Sequence, residues 1–490
     1  MGIFDVFSRK KAPAGKRNYA AANKGRLFAD FVGSNRSADS EIRWALNDLR
    51  NRSRDLERNN EYFRRYLQLL RTNVVGENGF RLQVKAINPD NTPDTGGNRI
   101  IEDYWAEFSR MGGPVASGKM SLVDLTNHVI SGMARDGEVF LRIIRNGVLR
   151  HGIGVQIIEP DRVDEEMNER YRNGNDVRMG VELNEFRTPV AYHILLNHPG
   201  DYDYTTLAKG TKRVRVPAAE IMHIYRQERA DQTRGVPWST AAMSALKMLH
   251  AYREAELVAA RTGAAKMGFF TSPTGDGFSA DGYEDNTTPI YDAEAGTFHQ
   301  LPAGVDFKPF DPTHPTSAFA DFEKSILRGI AGGLGVSYPS LANDLEGTSY
   351  SSIRQGALEE RDFYRTLHRF MIDHFLDPLY RAWLGHVTEF AIIPIFGQGK
   401  FEKFSSNITF RPRGFQWVDP LKEINAAVVG LQNGILSHSD IAANYGRDAA
   451  ETFAQIKRDG EDAARFGLDM AYQPFGDKQP VPAEIDDGDV

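Results

Sequence analysis

The stretch Gly113-Pro114-Val115-Ala116-Ser117-Gly118-Lys119-Met120 carries glycines and a lysine in the manner of a phosphate-cradling loop, and nucleotide hydrolysis is the chemistry such a loop would serve. That chemistry needs Ser or Thr directly after the lysine, to place a hydroxyl on magnesium, and a strand before the loop. Met120 fills the slot and Ile101 to Arg110 reads as helix, so Gly112-Gly113 is a turn after a helix. Gly332, Gly333 and Gly335 lack the remainder of a dinucleotide fingerprint and read as caps or hinges at a helix end. Among the 12 histidines, His193, His198 and His223 share one region and His386 precedes Glu389 by three, yet none forms the i,i+4 pair beside a glutamate that marks a zinc hydrolase. His193 and His223 fall in strand patterns, where a hydrogen-bonded structural imidazole is the expected role. There is no Gly-x-Ser-x-Gly elbow, and Glu359-Glu360 and Asp285-Asn286 have no spacing logic for a two-carboxylate hydrolase. With 0 cysteines, disulfides, thiolate catalysis and Cys-ligated metals are excluded. These residues give no reason to expect an enzyme, a metal or a cofactor.

The elements are more informative than the chemistry. From Asp39, the residues Ile42, Leu46, Leu49, Leu56, Phe63, Leu67 and Leu70 recur at three- and four-residue spacings, with Ser53 and Asn60 in the same seam. This predicts one long amphipathic helix bent near Asn59. Arg43, Arg50, Arg52, Arg54, Arg58, Arg64 and Arg65 crowd its other faces; nucleic acid is one partner for them, but Asp48 with Arg52 and Glu61 with Arg65 fit i,i+4 pairs on a solvated or intersubunit face. Beyond Gly76 a mixed α+β region begins with Phe80, Leu82 and Val84 in alternation. Strands are expected at Glu138 to Arg145, Gly154 to Glu159, Val190 to Leu196 and Ile221 to Tyr225, with Asn146-Gly147 as a two-residue type I′ hairpin. A helix then runs from about Ser239 to Thr262, about 24 residues or ~36 Å. Lys247, Glu254 and Arg261 recur at seven-residue spacing and give it one charged stripe.

Thr271 to Pro315 is rich in Gly, Asp, Thr and Pro, an excursion outside the core with a hairpin around Pro302-Ala303-Gly304. A second helix carries Phe319, Phe322, Ile326 and Ile330, and a polar loop, Ser337 to Ser349, follows. A third helix, about Ser351 to Trp383, should be kinked by Pro378. After strands near Ile392 and Ile408, Asp419-Pro420 opens a last helical segment to about Phe466.

The composition is that of a globular chain of 490 residues, 41% hydrophobic and 26% charged, with 59 Lys and Arg against 66 Asp and Glu. The resulting net charge of −7 argues against a protein that coats nucleic acid through global charge. No run approaches a membrane span, the Ile3 to Phe7 patch is too short for a signal peptide, and Val6 stands where a myristoylation motif wants Ser or Thr.

The order of several local strings resembles the lambda family of bacteriophage portal proteins over about Arg36 to Leu468. They run from Arg52-Ser53-Arg54-Asp55-Leu56-Glu57-Arg58-Asn59-Asn60 and Asn73-Val74-Val75-Gly76 through Asp136-Gly137-Glu138, Ile158-Glu159-Pro160-Asp161-Arg162 and His198-Pro199-Gly200-Asp201. Val216-Pro217-Ala218-Ala219-Glu220-Ile221-Met222-His223, Gln232-Thr233-Arg234-Gly235-Val236-Pro237-Trp238, Thr348-Ser349-Tyr350-Ser351-Ser352-Ile353-Arg354 and Trp417-Val418-Asp419-Pro420 complete the series. Ser349 stands where the family tends to have Asn.

The resemblance implies an α+β portal fold with long stem and wing helices, a mixed α/β wing, a small β-containing clip and a helical C-terminal crown. It divides the chain into a basic flexible arm (1–36), a first wing part (37–237), stem helix 1 (238–268), clip (269–315), stem helix 2 (316–334), channel loop (335–350), second wing part (351–418), crown (419–472) and an acidic disordered tail (473–490). The implied protein is a ring, a dodecamer in the family, at one capsid vertex of the virion, assembled in the host cytoplasm and passing double-stranded DNA during packaging and ejection. Terminase large subunit, a head-tail adaptor, the major capsid protein and a scaffold would be partners; membrane and cofactors would not. Asn343, Asp344, Glu346, Thr348 and Ser349 would form a polar, acidic channel-loop tip, and Lys247, Glu254 and Arg261 the charged stripe of the first stem helix. The rival readings are a phage enzyme that binds or processes DNA through the Arg-rich helix, and a capsid or tail protein without a channel.

Overall fold

The computed structural model describes residues 33, 35–171, 174–201, 212–264, 268–271, 306–309, 319–347, 349–394, 399–415 and 419–468. The 1–36 arm apart from its last residues, the Pro302-Ala303-Gly304 turn, Thr348, Trp417-Val418 and the 473–490 tail lie outside them.

The apolar seam at three- and four-residue spacing folds as two helices, α1 (Ala38–Asn59) and α2 (Glu61–Leu70). The break falls at Asn60, whose backbone is extended (φ −122°, ψ 119°) and whose side chain accepts the Phe63 N–H, so one residue ends α1 and caps α2. Ser53 belongs to the seam because its hydroxyl lies 3.1 Å from that of Ser239 inside the protein. A π turn, Arg71–Val75, closes at Gly76.

Strand β1 (Arg81–Val84) leads to α3 (Thr95–Phe108) and α4 (Leu122–Asp136), the latter opened by a Ser121/Asp124 capping box and closed by left-handed Gly137. β2 (Glu138–Arg145) is the middle of a three-stranded antiparallel sheet, between β3 (Ile153–Ile158) and β9 (Ile221–Tyr225). A second antiparallel sheet runs in order through β4 (Glu169–Arg170), β5 (Asp176–Arg178), β6 (Val181–Leu183), β7 (Pro189–Leu195) and β8 (Arg213–Pro217). Phe140, Ile158, Val181, Tyr192 and Val216 form the core that the two sheets share.

The β2–β3 connection departs from the expected two-residue hairpin. Arg145 pairs with Ile153, so residues 146–152 form the loop. Asn146 caps it through its side chain, which accepts the Val148 N–H, while its own N–H donates to Gly152 O. The left-handed residue is Gly152, not Gly147, and a Cβ there would lie 2.5 Å from His386 Nε2.

Helix α5 (Met243–Ala264) begins four residues later than expected, because the Thr240 N–H turns back to donate to Pro237 O and the Ala242 N–H to Ser239 O. β10 (Gly268–Thr271) and β11 (Asp306–Pro309) pair antiparallel and bracket residues 272–305. α6 (Phe319–Leu334) returns beside α5, and Gly335, at φ +73°, caps it; Gly332 and Gly333 lie inside the helix rather than beyond its end.

α8 (Tyr350–Met371), a π turn (Ile372–Leu376) and α9 (Asp377–Glu389) form the third long helical element. The irregularity expected from Pro378 is this π turn, which directly precedes the proline in the first turn of α9 and so spares the helix a clash with the ring. Trp383 and Tyr380 pack edge-on to Trp105 of α3 at 5.2 and 5.4 Å. Ile392 is not in a strand: the chain turns after α9 and buries Ile393 instead. α10 (Lys400–Ser406) and β12 (Ile408–Arg411) follow, and β12 pairs with β1, joining the two ends of this unit. The last segment divides into α11 (Pro420–Gln432), α12 (His438–Asn444) and α13 (Ala449–Arg465), with Asp419 capping α11 as the Asp-Pro pair predicts.

Candidate functional site

The strings that are far apart in sequence meet at one buried ionic hub below α5. Glu138, the first residue of β2, is fully buried and accepts from Arg234 (2.7 Å), from His223 Nε2 (2.9 Å) and from the Gly235 N–H (3.0 Å). The Arg234 guanidinium also donates to Pro160 O, Val163 O and Met179 O, and lies 5.2 Å from the Phe140 ring centroid. Burial alone would raise the Glu138 carboxyl, but Arg234 and the His223 hydrogen bond override it and hold the group well below the usual carboxylate range. Burial lowers His223, which stays a neutral donor between the rings of Phe140 and Tyr225.

A second shell of ions surrounds the hub. Asp39 accepts from Thr233 and pairs with Arg178 at 2.9 Å. Arg54 bridges Asp136 (2.7 Å) and Asp161 (2.5 Å), and Arg50, fully buried, reaches Glu165 at 2.5 Å. Two arginines of the supposed nucleic-acid face are therefore internal. Asp48 does pair with Arg52, at 3.9 Å, but Glu61 pairs with Arg253 of α5 and not with Arg65, whose guanidinium donates to Ser340 O. Glu159, Asp161 and His198 offer donor atoms within 4.8 Å of one another, yet Arg54 Nη2 already lies 3.5 Å from Glu159 and 2.5 Å from Asp161, so a guanidinium occupies the place of a metal ion.

Close backbone packing locks the hub to the start of α5. A Cβ on Gly235 would stand 2.1 Å from Gly137 O, and one on Gly137, at φ +89°, 2.4 Å from Val236 C. Only glycine fits at both positions.

The loop expected over Ser337 to Ser349 is partly helical. Its first half is α7 (Tyr338–Ala342), capped by Ser337 and pinned to α8 through Glu360, which accepts from Ser337 Oγ (2.9 Å), Ser340 Oγ (2.7 Å) and Tyr364 OH (2.7 Å). Left-handed Asn343 ends α7. Asp344 accepts from Tyr338 OH at 2.6 Å and from the Glu346 N–H at 2.9 Å, and the Tyr338 hydroxyl is foremost in holding its carboxyl below the ordinary value. Lys324 of α6 lies 3.6 Å from Asp344 and 3.5 Å from Glu346. The acidic tip therefore has a cation, supplied from outside the loop, and its acids do not cap the next helix: Ser349 caps α8 by accepting the Ser352 N–H.

Lys247, Glu254 and Arg261 are exposed on α5. α5 and α6 meet through Tyr252 against Phe319 and Phe322, and through Arg253 with Glu323 at 3.2 Å. Met248, Leu257 and Val258 of α5, Phe322 of α6, and Leu421, Ile424 and Val428 of α11 are apolar side chains left exposed.

The family model for phage portal proteins of the lambda family matches residues 24–368. A probable portal protein of Halomonas phage phiHAP-1 is 36% identical over 490 residues, covering 98% of this chain and 93% of its own. Portal protein B of Escherichia phage lambda is 23% identical, covering 85% and 84%. Among solved structures, the virion of a native gene transfer agent particle contains a chain 17% identical, aligned over 86% of this chain and 99% of that one with a TM-score of 0.47. The family model and the 36% identical relative show that this α+β chain is a phage portal-type structural protein. It belongs to the lambda family of phage portal proteins.

Proposed function

We propose that this chain assembles into a closed ring at one capsid vertex of the virion and forms the channel through which DNA is packaged and ejected. Family membership supports the class, and the observation that carries the assembly is the apolar surface a single chain leaves wet. Met248, Leu257 and Val258 on α5 are 71%, 64% and 54% exposed, and Leu421 on α11 is 73% exposed. Leu421, Ile424 and Val428 repeat at three and four residues, so they form one apolar stripe on α11. Burying such a side chain contributes about 1.5–3 kcal/mol, enough to drive association when several are covered together.

In this reading α5 and α6 are the stem helices (238–268 and 316–334) and residues 269–315 the clip that docks terminase large subunit and the head-tail adaptor. Residues 335–350 are the channel loop, 37–237 and 351–418 the wing, and 419–472 the crown. The ring is a dodecamer, with the major capsid protein and a scaffold as further contacts during assembly in the host cytoplasm. A charge of −7 suits a conduit that must let DNA slide.

Native mass spectrometry of the full chain tests the assembly. One discrete multimer across a range of salt is expected; a stable monomer at micromolar concentration with no higher species would sink the proposal. Replacing the clip by a short Gly-Ser linker should leave the multimer intact and abolish terminase capture, and normal packaging by that variant would refute the docking assignment.

A further inference from the structure

A cavity of about 840 Å³ opens where the first and last parts of the chain meet, and the charged groups of its lining are five arginines and one glutamate. Arg71 comes from the π turn after α2, Arg81 from β1, Arg411 and Arg413 from β12 and the segment after it, and Arg447 from the turn between α12 and α13. Glu77 is the acidic residue among its lining side chains, and it is exposed at the edge. We propose that this cavity binds phosphoryl oxyanions, carried either on a nucleic-acid backbone or on a free polyphosphate.

The charge balance points to an anion from outside. Arg411 is neutralised by Asp448 at 2.7 Å, Arg71 by Glu57 at 3.6 Å and Arg81 by Glu451 at 3.6 Å. Arg413 and Arg447 have no carboxylate within 4.0 Å among the described residues. Arg413 is half-buried and donates only to carbonyls, to Thr72 O at 2.5 Å and Gly414 O at 3.3 Å, and burial lowers its pKa. A guanidinium that has lost water without gaining a counter-ion is in an unfavourable state that an oxyanion would relieve. Arg413, Arg361 and Arg365 stand 5.3, 5.5 and 6.0 Å from the ring centroid of Phe415, and of these Arg365 is already paired with Asp362 at 2.8 Å and Arg361 lies near Glu423.

The backbone around the cavity is built to close tolerance. A Cβ on Gly414 would lie 2.1 Å from Tyr445 C, one on Gly446 2.7 Å from Gly414 N, and one on Gly76 2.8 Å from Arg413 Cδ. Gly76 and Gly446 are also left-handed, at φ +69° and +70°. These glycines let three chain segments converge so that arginines from separate elements share one space. Guanidiniums match the forked geometry of phosphate oxygens, and two uncompensated ones match the double charge of a terminal phosphate or of two successive phosphodiesters.

The test titrates the full chain with inorganic tripolyphosphate and, separately, with a short mixed-sequence DNA duplex at about 0.15 M salt. Arg413→Gln with Arg447→Gln should weaken binding roughly tenfold or more, as expected for lost charge-assisted hydrogen bonds. Arg52→Gln with Arg58→Gln removes the same charge from the exposed face of α1 and should change it less than about twofold. If the Arg413 variant fails to fold, Arg447→Gln alone, on an exposed side chain, should still weaken binding about threefold. Tripolyphosphate binding without duplex binding identifies a free polyphosphate as the ligand, and duplex binding that the cavity variants abolish identifies the nucleic-acid backbone. The proposal is overturned if neither probe binds, if both double variants lose affinity equally, or if polyglutamate of matched charge displaces tripolyphosphate as well as tripolyphosphate itself does.

Discussion

Arg234 and Glu138 form an ion pair at 2.7 Å with both side chains fully out of solvent, although they are separated by most of the two-sheet unit in sequence. Glu138 starts β2 and Arg234 precedes α5, so the pair fixes where the long helix leaves the sheets. Removing one partner leaves the other charge buried and alone, which costs about 3–5 kcal/mol. Glu138→Ala should lower the urea-unfolding free energy by that amount; a loss below about 1 kcal/mol would show that water or rearrangement replaces the pair.

Gly235→Ala should be at least as damaging, since its Cβ meets backbone at 2.1 Å and not a movable side chain. The expected result is loss of soluble folded protein. Gly147→Ala is the control, because a Cβ there meets nothing within 4 Å and Gly147 is not left-handed. Equal yields of the two variants would contradict the close packing of Gly137 and Gly235.

Acid should destabilise the chain well above the carboxylate range. Burial foremost pushes His368 down to about 4 from 6.5, while its Nε2 donates to Asn73 O at 3.1 Å. The unfolded imidazole therefore takes up a proton before the folded one does, and stability present above pH 6.5 is lost as pH falls toward about 4. The shift corresponds to about 3 kcal/mol for this group. His223, His193 and His128 are also lowered, chiefly by burial, and add to the same slope. Urea midpoints measured from pH 7.5 down to 4.5 should fall steadily, and His368→Gln should flatten part of the fall. A midpoint that rises on acidification would contradict the assignment of a neutral buried imidazole.

The contact of Lys324 with Asp344 and Glu346 ties the loop tip to α6. Lys324→Met should speed hydrogen exchange across residues 343–347 with little change in melting temperature, because Glu346 is exposed and Lys324 and Asp344 are partly exposed, so that solvent screens the pairs. Unchanged exchange would show that Tyr338 and the local turn suffice to hold the tip. Replacing Asp344 and Glu346 together with Lys should preserve assembly but slow packaging most at low salt, where attraction for phosphates is least screened. Packaging at the normal rate at every ionic strength would mean that the loop does not meet DNA.

Long-period features were legible in the sequence and long-range pairings were not. The seam from Ile42 to Leu70 and an irregularity near Pro378 follow from local rules of helix periodicity and proline sterics, whereas the bend expected near Asn59 is a full break at Asn60. The acidic tip reads as uncompensated because Lys324 reaches it from another helix, and the arginine face of α1 reads as exposed because Asp136 arrives from the end of α4 and Asp161 and Glu165 from the connection between β3 and β4. Asp136-Gly137-Glu138 and Gln232 to Trp238 were recognisable as strings, but their meaning is their contact with each other. The loop after β2 was misread since His386, far along the chain, sits against Gly152 and enforces a glycine there. The arginine cavity left no local trace, because each of its five arginines comes from a segment with its own acidic neighbour or none.

Negative-stain electron microscopy of the purified 490-residue chain decides whether it closes into a ring around a channel. Closed rings of uniform subunit number with an open central hole are expected. Compact single particles, or assemblies with no hole, would contradict a channel-forming ring.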